Sequence, residues 1–509
     1  MYSIKYKIMK IKSCLFGIAS LMAFTISAQE RQKVEYVEYD LDNGIHVILH
    51  EDHATPILAV TMLYKVGSKN EKVGRTGFAH FFEHLMFEGT TNIERHKYDK
   101  IVEGAGGTLN ANTSQDRTFY YELLPSNQLE LGLWLESERL LHAKVEDIGI
   151  ETQREVVKEE KRQRVDNQPY GSFMYEIFRR AYKEHPYQWT PIGSMEDLDA
   201  AEEADYVNFY RTFYVPHNVT LSIAGDIDVA QTKKWIDVYF ASIPNGDKLD
   251  IYRDREFLST AAFSTKYGTQ ISTTTASSSS FDSDYNGDMS TEAFIKKYFP
   301  KASAKPHPIP RPSIKEGLLT KEIRDTIYDN IQLPAVAVAY RTPELRHKDK
   351  YAVEILTMIL AQGNSSRLVK NVVENQELAV MAVSFPFPLE DPGIAINLAI
   401  ANMGVDPAEL EEAIEEQVKL IQTEFISDKE LEKLRNMIES DFVSSNSTMA
   451  GIAESLADYH VYQGDTELIN TELDKYMAVT KEDIQRVAKT YFNSNNRVVL
   501  YYLPKPIGE

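Results

Sequence analysis

The spacing of apolar residues along the chain predicts a mixture of strands and helices. Apolar and polar residues alternate at 34–49 and 57–64, which is typical of half-buried strands. Apolar residues three and four positions apart at 77–87 and 129–141 predict helices. The mixture indicates an α/β or α+β chain. Because 509 residues are too many for one ordinary core, we expect at least two domains.

The same order of patterns occurs twice. A strand, a polar loop and a helix ending at Gly89 recur as a strand, a polar loop and a helix ending at Gly363, 274 residues further on. Later in each half a helix and an apolar strand follow at 205–224 and 483–503, with an offset of 278. We therefore expect two halves of similar fold produced by duplication, with two unrelated domains as the alternative.

The composition changes between the two halves, from 248 to 317. Residues 272–280 are almost entirely Ser and Thr, and four prolines follow between 306 and 312. A segment of this kind is too polar to fold around its own core, which predicts a linker or insertion. The domains are then expected at 29–247 and 318–509.

The first 28 residues have the pattern of a secretion signal. Lysines precede an apolar run of 13 residues from Cys14 to Ile26, and the small residues Ser27 and Ala28 are typical of a cleavage site. The run is well short of the roughly 20 residues that span a bilayer, so we expect a removed signal peptide at 1–28 and no stable membrane anchor. The mature protein would be periplasmic or secreted. Cys14, the only cysteine, leaves with the signal, which excludes disulfides and a thiol nucleophile.

The charge of the chain excludes one class of partner. The formal net charge is −21, and no stripe of Lys and Arg is present. Binding to nucleic acid draws its affinity from clustered cations that release counterions from phosphates. We therefore expect no nucleic-acid partner. The hydrophobic content of 43% and the charged content of 26% are those of a soluble globular protein.

The strongest chemical signal is the run His80-Phe81-Phe82-Glu83-His84. On a helix, Phe81 and Phe82 fall on an apolar face, while the two histidines and Glu83 lie on the opposite face. Two histidines four residues apart present their rings one helical turn apart, so both can reach one metal ion, and Glu83 stands aside from it. A solvated polar face gives the same pattern and is the alternative.

A catalytic zinc also needs a third protein ligand and one open position for water. The best candidate is Glu160, which follows Val156 by four residues and Val157 by three, and so lies on the expected buried side of a helix. Burying an unpaired carboxylate costs several kcal/mol, which favours a cation beside it. A charged, solvated helix that carries Glu155, Glu159 and Glu160 fits the pattern equally well.

With these motifs the sequence resembles the pitrilysin/insulinase family of zinc metallopeptidases, the inverzincins, and within it the processing-peptidase branch. The resemblance covers nearly the whole chain after the signal, except the Ser/Thr-rich insertion. It implies that His80, His84 and Glu160 hold one zinc ion per chain and that Glu83 is the catalytic base. It also implies two duplicated αβ domains in an α+β fold, each a mainly antiparallel sheet with helices packed on it, which form a clamshell-like chamber.

The resemblance extends to Gly106-Gly107-Thr108-Leu109-Asn110-Ala111-Asn112-Thr113, which matches an edge strand of the family. An extended peptide adds to such an unpaired edge through main-chain hydrogen bonds. The family pattern implies that Asn110 and the strand through Ala111 position the substrate. Taken without the neighbouring metal motif, the segment would be a glycine-punctuated hairpin with no ligand.

Three positions depart from the family pattern. Gln153 stands where members commonly carry an acid seven residues before the ligand Glu, and we expect it to tune the site. Val373 and Val380 stand where one-chain relatives have an Arg and a Tyr that grip the substrate. We therefore expect a partner, either a homologous metal-free subunit that supplies the Arg and Tyr or a second copy in a homodimer.

The second half lacks the metal motif. At the 274-residue offset, Glu354, Thr357 and Met358 replace the two histidines and the glutamate, and they cannot bind zinc as a set. The domain at 29–247 is thus the metal-bearing one, and the domain at 318–509 is expected to pack against it and frame the chamber.

The sequence as a whole predicts a zinc-dependent endopeptidase that hydrolyses extended or unfolded peptides. One alternative is an inactive or structural peptidase-like subunit, which binds peptide or assembles with a homologous partner without turnover. Another is a zinc hydrolase of non-peptide substrates, which the edge-strand segment disfavours.

Overall fold

The computed structural model describes residues 33–271 and 278–506. The expected signal peptide at 1–28 lies outside these residues. From Glu35 onward the chain belongs to one compact unit. Within the described ranges, no helix is both long and apolar enough to cross a membrane.

The strands of the described chain form two sheets, one in each half. The first sheet contains β1 (Val37–Asp40), β2 (His46–Glu51), β3 (Ile57–Tyr64), β4 (Thr108–Thr113), β5 (Thr118–Pro125) and β6 (Val219–Gly225). The second contains β7 (Ile323–Asp329), β8 (Ala335–Arg341), β9 (Ala379–Phe387), β10 (Ile394–Ala401) and β11 (Arg497–Pro504).

Helices surround both sheets. The α-helices up to residue 257 are α1 (Phe78–Leu85), α2 (Tyr98–Gly104), α3 (Leu129–His142), α4 (Asp147–Lys161), α5 (Phe173–Ala181), α6 (Met195–Ala200), α7 (Glu203–Phe213), α8 (Val229–Tyr239) and α9 (Gly246–Phe257). Those that follow are α10 (Thr260–Ile271), α11 (Ser278–Ser283), α12 (Thr291–Tyr298), α13 (Lys350–Ala361), α14 (Pro407–Thr423), α15 (Asp428–Ser445), α16 (Met449–Asp458), α17 (Leu468–Met477) and α18 (Lys481–Tyr491).

The expected duplication is confirmed by the sheet topology. The strand orders are β1-β2-β6-β3-β5-β4 and β7-β11-β8-β10-β9. In the first sheet β2 pairs parallel with β6, and the pairs β6–β3, β3–β5 and β5–β4 are antiparallel. In the second sheet β7 pairs parallel with β11, and the pairs β11–β8, β8–β10 and β10–β9 are antiparallel. The α+β fold of two mainly antiparallel sheets with packed helices is therefore as predicted.

One face of each sheet packs on helices of its own half. In β3 the alternate residues Leu58, Val60 and Met62 enter a core shared with α1 and α3. In β8 the equivalent residues Val336 and Val338 enter a core shared with α13 and α14. The other face of each sheet is also covered. The hydrophobic residues of β3 and β8 are therefore buried on both sides.

The second face of each sheet is covered by a helix from the opposite half. Helix α16 packs against β3 and β6, and α5 packs against β8 and β11. Ala457 of α16 shares an apolar cluster with Leu63, and Phe178 of α5 shares another with Ala337. The two helices are themselves equivalent, since Phe173 at the start of α5 precedes Met449 at the start of α16 by 276 residues. The halves therefore interlock by exchanging equivalent helices.

The prediction that residues 248–317 are too polar to have a core was wrong. Helices α9 to α12 fall largely in this segment and surround an apolar cluster. Its buried members are Ile251, Phe263, Phe281, Tyr285, Phe294, Ile295, Tyr298 and Phe299. Aromatic residues spaced between the Ser and Thr residues supply this core, because a single aromatic side chain buries as much apolar area as several small ones. The proline-rich stretch at 306–312 has no regular secondary structure.

The interlocked packing predicts that Phe178 contributes strongly to the stability of the fold. Its side chain is fully buried, and its ring lies 5.7 Å from that of Phe387 in the second half. Phe178→Ala should lower the free energy of unfolding by about 3–5 kcal/mol, measured from urea unfolding. The control Tyr328→Ala, at a residue 55% exposed on β7, should change it by no more than about 0.5 kcal/mol. Equal effects of the two changes would contradict the exchanged packing.

Candidate metal site and substrate chamber

Helix α1 carries the His-x-x-Glu-His motif, and its beginning is held by a buried carboxylate. Glu71 accepts hydrogen bonds from the backbone N–H groups of Gly77 and Ala79, at 2.9 and 2.8 Å. An acid at this end satisfies unpaired N–H groups and the positive end of the helix dipole. Gly77 has a φ of 90°, and a Cβ there would lie 3.0 Å from the carbonyl oxygen of Ile192, so the turn into the helix requires glycine.

Aromatic packing fixes the rotation of α1 about its axis. The ring of Phe78 stacks on Tyr206 of α7 at a centroid distance of 4.7 Å, and Phe82 stacks on Phe209 at 4.9 Å. These phenylalanines, with Phe81, are buried. The opposite side of the helix, which carries both histidines of the motif and its glutamate, is thereby turned toward a cavity, as the sequence predicted.

Helix α4 packs against α1 and brings Glu160 to the motif. Its buried side is formed by Ile150, Arg154 and Val157, and Glu160 continues this side three residues further on. Val156, which was expected to share the buried side, is instead 44% exposed. The expectation about Val156 was wrong because two adjacent helical residues point about 100° apart, and only Val157 faces inward.

Three donor atoms converge where α1 meets α4. The Nε2 atoms of His80 and His84 lie 3.4 Å apart, and Oε2 of Glu160 lies 3.4 and 3.2 Å from them. Ligands held tetrahedrally at about 2.0–2.1 Å from a zinc ion lie about 3.3 Å from one another. The spacing of the three atoms therefore fits a single zinc ion.

The protonation states of these groups also suit a metal. Burial, and after it the neighbouring His84, lowers the pKa of the His80 imidazole to about 4. The hydrogen bond from His84 lowers the pKa of the Glu160 carboxyl. The other carboxylate oxygen, Oε1, pairs with Arg164 at 2.7 Å. A neutral imidazole and an ionised carboxylate are the forms that bind zinc.

Glu83 lies beside this cluster, and its side chain is hydrogen-bonded to a residue outside the cluster. Its Oε2 accepts a hydrogen bond from the hydroxyl group of Thr113, at the end of β4, at 2.7 Å. Burial raises the pKa of the Glu83 carboxyl, while the bond from Thr113 opposes that rise. A carboxyl group with a raised pKa exchanges a proton closer to neutral pH than an ordinary one.

Strand β4 lies at the edge of the first sheet, as predicted, because it pairs only with β5. Asn110 and Ala111 lie in this strand and line the cavity. The backbone N–H of Ala111 donates to the side-chain oxygen of Asn110 at 2.8 Å. None of the described strands pairs with the other edge of β4, so an extended peptide can add to the sheet there.

A cavity of about 1040 Å³ joins these features. Its lining includes both histidines of the motif, Glu83, Glu160 and residues 110–115 around the end of β4. The second half contributes the side chains of Met381, Phe387, Leu398 and Ile400 to the same cavity. The chamber predicted between the two halves is therefore present, with the candidate metal cluster in its wall.

Arg117, in the turn between β4 and β5, ties this wall to the second half. Its guanidinium forms ion pairs with Glu454 and Asp458 of α16. It also donates a hydrogen bond to the side chain of Asn112 in β4, at 3.3 Å. The position of the edge strand therefore depends on the packing of the two halves.

A second group of potential metal donors lies on another part of the surface. Atoms of Glu38, His46 and His460 all come within 4.8 Å of one another. The two imidazole rings are stacked nearly parallel, with centroids 3.4 Å apart and planes 7° apart. Ring-nitrogen lone pairs lie in the ring planes, so parallel stacked rings cannot both point at one ion. This group does not have the geometry of the first cluster.

The positions that depart from the family pattern lie at three different places. The side-chain amide of Gln153 donates to Glu88 at 2.6 Å. Val373 packs at the edge of the second core, and Val380 is 50% exposed on β9. In the second half, Glu354 accepts a hydrogen bond from the hydroxyl of Tyr476. Neither valine offers a polar group to a substrate.

Two residues that contact the cluster were missed from the sequence. Thr113 closes the edge-strand segment, and its contact with Glu83 joins residues 30 positions apart, which no local pattern shows. Arg164 stands four residues after Glu160, where an opposite charge on the same helical face is a recognisable signal.

The fold and the site together define a two-domain α+β protein with one histidine–glutamate cluster in a chamber between its halves. Residues 46–192 match the family described as "Insulinase (Peptidase family M16)", and residues 202–274 and 286–438 match "Peptidase M16 inactive domain". The chain belongs to this insulinase family of peptidases.

Relatives of the chain carry names that agree with the family. It is 28% identical over 494 residues to the "Zinc protease PqqE" of Helicobacter pylori, covering 96% of this chain and 98% of that protein. It is 28% identical over 204 residues to the mitochondrial-processing peptidase subunit beta of Neurospora crassa, covering 40% and 43% of the two chains. The crystal structure of a protease from Helicobacter pylori has a TM-score of 0.77 and 27% identity, covering 93% of this chain and 100% of that one.

The convergence of the three donors predicts that the purified chain holds about one zinc ion. Glu160→Gln should abolish stoichiometric zinc binding, because an amide oxygen is a weaker, uncharged ligand. Elemental analysis by mass spectrometry after dialysis measures the content. The matched control is His46→Ala, in the stacked group, which should leave zinc unchanged. Full zinc content in Glu160→Gln would place the third ligand elsewhere.

Proposed function

We propose that the chain is a zinc-dependent endopeptidase that hydrolyses extended or unfolded peptides. The observation that carries the proposal is the triangle of donor atoms from His80, His84 and Glu160, with sides of 3.2–3.4 Å, in the wall of a large chamber. The family and the names of relatives such as the zinc protease PqqE support a peptidase that uses zinc.

In this proposal the residues of the cluster have separate tasks. His80, His84 and Glu160 hold the ion, and Arg164 holds Glu160 in place through its second oxygen. Zinc, when bound, supplies the Lewis acidity that polarises a scissile carbonyl and lowers the pKa of a water toward about 7. Glu83 takes the proton from the attacking water and delivers it to the nitrogen of the leaving amine.

The hydroxyl of Thr113 orients Glu83 for this task. It donates a hydrogen bond to Oε2 of the carboxylate, and we propose that Oε1 is the oxygen that exchanges the proton. Thr113 is also the last residue of β4. A peptide that pairs with the edge of β4 is thereby held beside the carboxylate that moves the proton. Binding of the peptide and proton transfer then share one fixed geometry.

The form of the substrate follows from the edge strand. Pairing along β4 through Asn110 and Ala111 uses main-chain groups, which every extended peptide offers. A compact folded protein presents few free strands of this kind, because its backbone groups are already paired. We therefore propose unfolded segments and peptides as substrates.

A second subunit is part of the proposal. Val373 and Val380 leave the second half without the Arg and Tyr expected to grip the substrate, and one relative is named as the beta subunit of a processing peptidase. We propose that a homologous metal-free chain, or a second copy of this one, completes the site. We also propose export to the periplasm or exterior, on the basis of residues 1–28.

The role of Glu83 has a direct test. Glu83→Gln should keep about one zinc ion per chain and lower the rate of hydrolysis of an unstructured peptide by at least about 10²–10⁴-fold, because the amide accepts no proton at neutral pH. Cleavage is followed by mass spectrometry of the products, with and without a chelator. The control Glu155→Gln removes a carboxylate on the exposed side of α4, where it pairs with Lys158, and it should retain most activity.

The outcomes of this test separate the candidate functions. Retained hydrolysis by Glu83→Gln would contradict the assignment of the base. A wild-type chain that holds zinc, binds the peptide and never cleaves it would favour the structural or peptide-binding alternative.

The need for a partner is tested by separating assembly from activity. The chain alone should cleave slowly, and addition of a homologous metal-free subunit that carries the Arg and Tyr should raise kcat/KM. Size-exclusion chromatography of each mixture reports whether the increase follows assembly. Full activity of a monomer, unaffected by the second protein, would refute the requirement.

A further inference from the structure

A short segment joins the candidate ligand Glu160 to the helix that packs on the second half. Beyond α4 the chain continues as the wider helical turn Arg162–Asp166, in which the N–H of Asn167 donates to the carbonyl oxygen of Arg162 at 2.8 Å. This bond spans five residues, where an α-helical bond spans four, and wide turns of this kind are frequent at functional sites. Glu160 and the exchanged helix α5 are therefore separated by residues 161–172 alone.

The segment 161–172 is folded back against itself. The N–H of Gly171 donates to the carbonyl oxygen of Gln168 at 2.9 Å, and the side-chain amide of Gln168 donates to the carbonyl oxygen of Gln163 at 2.8 Å. A Cβ atom at Gly171 would lie only 2.1 Å from the carbonyl oxygen of Val165, so the chain requires glycine where it contacts the wide turn. Because closely packed groups transmit strain, a displacement at one end of this segment also moves the other end.

Tyr170 binds this segment to the second half through both its backbone and its side chain. Its N–H donates to Oδ2 of Asp329, at the end of β7, at 3.0 Å, and its hydroxyl donates to the carbonyl oxygen of Leu333 at 2.7 Å. Its φ is 60°, in the left-handed region, which a bulky residue adopts only where its surroundings impose it. Two residues later, the hydroxyl groups of Ser172 and Tyr502 in β11 share a hydrogen bond at 3.2 Å. The second half therefore holds the end of the segment in a fixed conformation.

We propose that Tyr170 is a positioning residue for Glu160, and that it makes the zinc affinity of the site depend on the packing of the second half. The inference rests on the proposed function, because it requires the zinc site, and it adds a coupling between that site and the metal-free half. The spacing of His80 and His84 is set within α1 alone. Glu160 comes from a different helix, and its position relative to the two imidazoles changes when the segment shifts. Loss of the contacts of Tyr170 therefore weakens zinc binding without any change in the ligands.

The coupling acts in both directions. If packing of the second half raises the affinity for zinc by some factor, bound zinc favours the packed arrangement by the same factor. A metal that binds the folded chain also raises its Tm, by an amount that grows with the affinity. A variant without the contacts of Tyr170 therefore gains less stability from zinc than the wild type does.

The zinc dissociation constant of the full chain, measured by competition with a chromophoric chelator, tests the coupling. Asp329→Ala removes the acceptor of the Tyr170 N–H, and Tyr170→Phe removes the bond to Leu333. Each change should weaken zinc binding by about tenfold, the loss that follows removal of a group that orients a metal ligand. Asp329→Asn should keep the wild-type affinity, because its amide oxygen still accepts the bond from the N–H.

The matched control lies just beyond the opposite end of α5. The hydroxyl of Tyr182 donates to the carbonyl oxygen of Pro392 at 2.7 Å, so Tyr182→Phe removes the same kind of bond between the halves as Tyr170→Phe does. It is not part of the segment that leads to Glu160, and it should leave the zinc dissociation constant unchanged. The rise in Tm on adding zinc should be smaller in Asp329→Ala than in the wild type, and unchanged in Tyr182→Phe.

The results distinguish failure of the coupling from failure of the proposed function. Wild-type zinc affinity in both Asp329→Ala and Tyr170→Phe, or an equal loss in Tyr182→Phe, overturns the coupling while the zinc site and hydrolysis stand. The predicted differences in a chain that never cleaves peptide support the coupling and overturn the hydrolysis. A wild type that binds no zinc overturns both.

Discussion

Packing of α1 against α7 determines where the chemistry of this protein lies. The stacked pairs Phe78–Tyr206 and Phe82–Phe209 set the rotation of α1, and this rotation turns His80 and His84 into the chamber. Val157 seats α4 in the same core, so Glu160 arrives within 3.4 Å of both imidazoles. Buried aromatic surface therefore supplies the free energy that holds three polar donors at a spacing they would not adopt in water.

The chamber also depends on the exchange of helices between the two halves. Because α5 covers the second sheet and α16 covers the first, the chamber is enclosed by two halves that cannot separate without exposing both sheet faces. Arg117 links this packing to β4, because it bonds Asn112 in β4 and forms ion pairs with the acidic residues of α16. The half without a metal motif is consequently structural for the site, and its edge strand β9 supplies part of the chamber wall.

The local elements were predictable from the sequence, and their long-range partners were not. Strand 57–64 and the helix of the His-x-x-Glu-His motif follow directly from periodicity, and the 274-residue repeat predicted matching sheets. Periodicity reports that a face is buried but not what buries it, so the exchange of α5 and α16 had no sequence signal. The high average polarity of residues 248–317 gave no indication of the aromatic cluster around Phe263. The pair Val156–Val157 suggested that both residues are buried, but only Val157 is.

In the proposed site, two imidazoles and one carboxylate hold a single zinc ion. X-ray absorption at the zinc edge, on the purified full chain, measures the ligands of the bound metal directly. This coordination predicts nitrogen and oxygen neighbours at about 2.0–2.1 Å with the scattering pattern of two histidine rings, and loss of the bound-zinc signal in His84→Ala. A spectrum with a single ring in the wild type, or one unchanged in that variant, would contradict it.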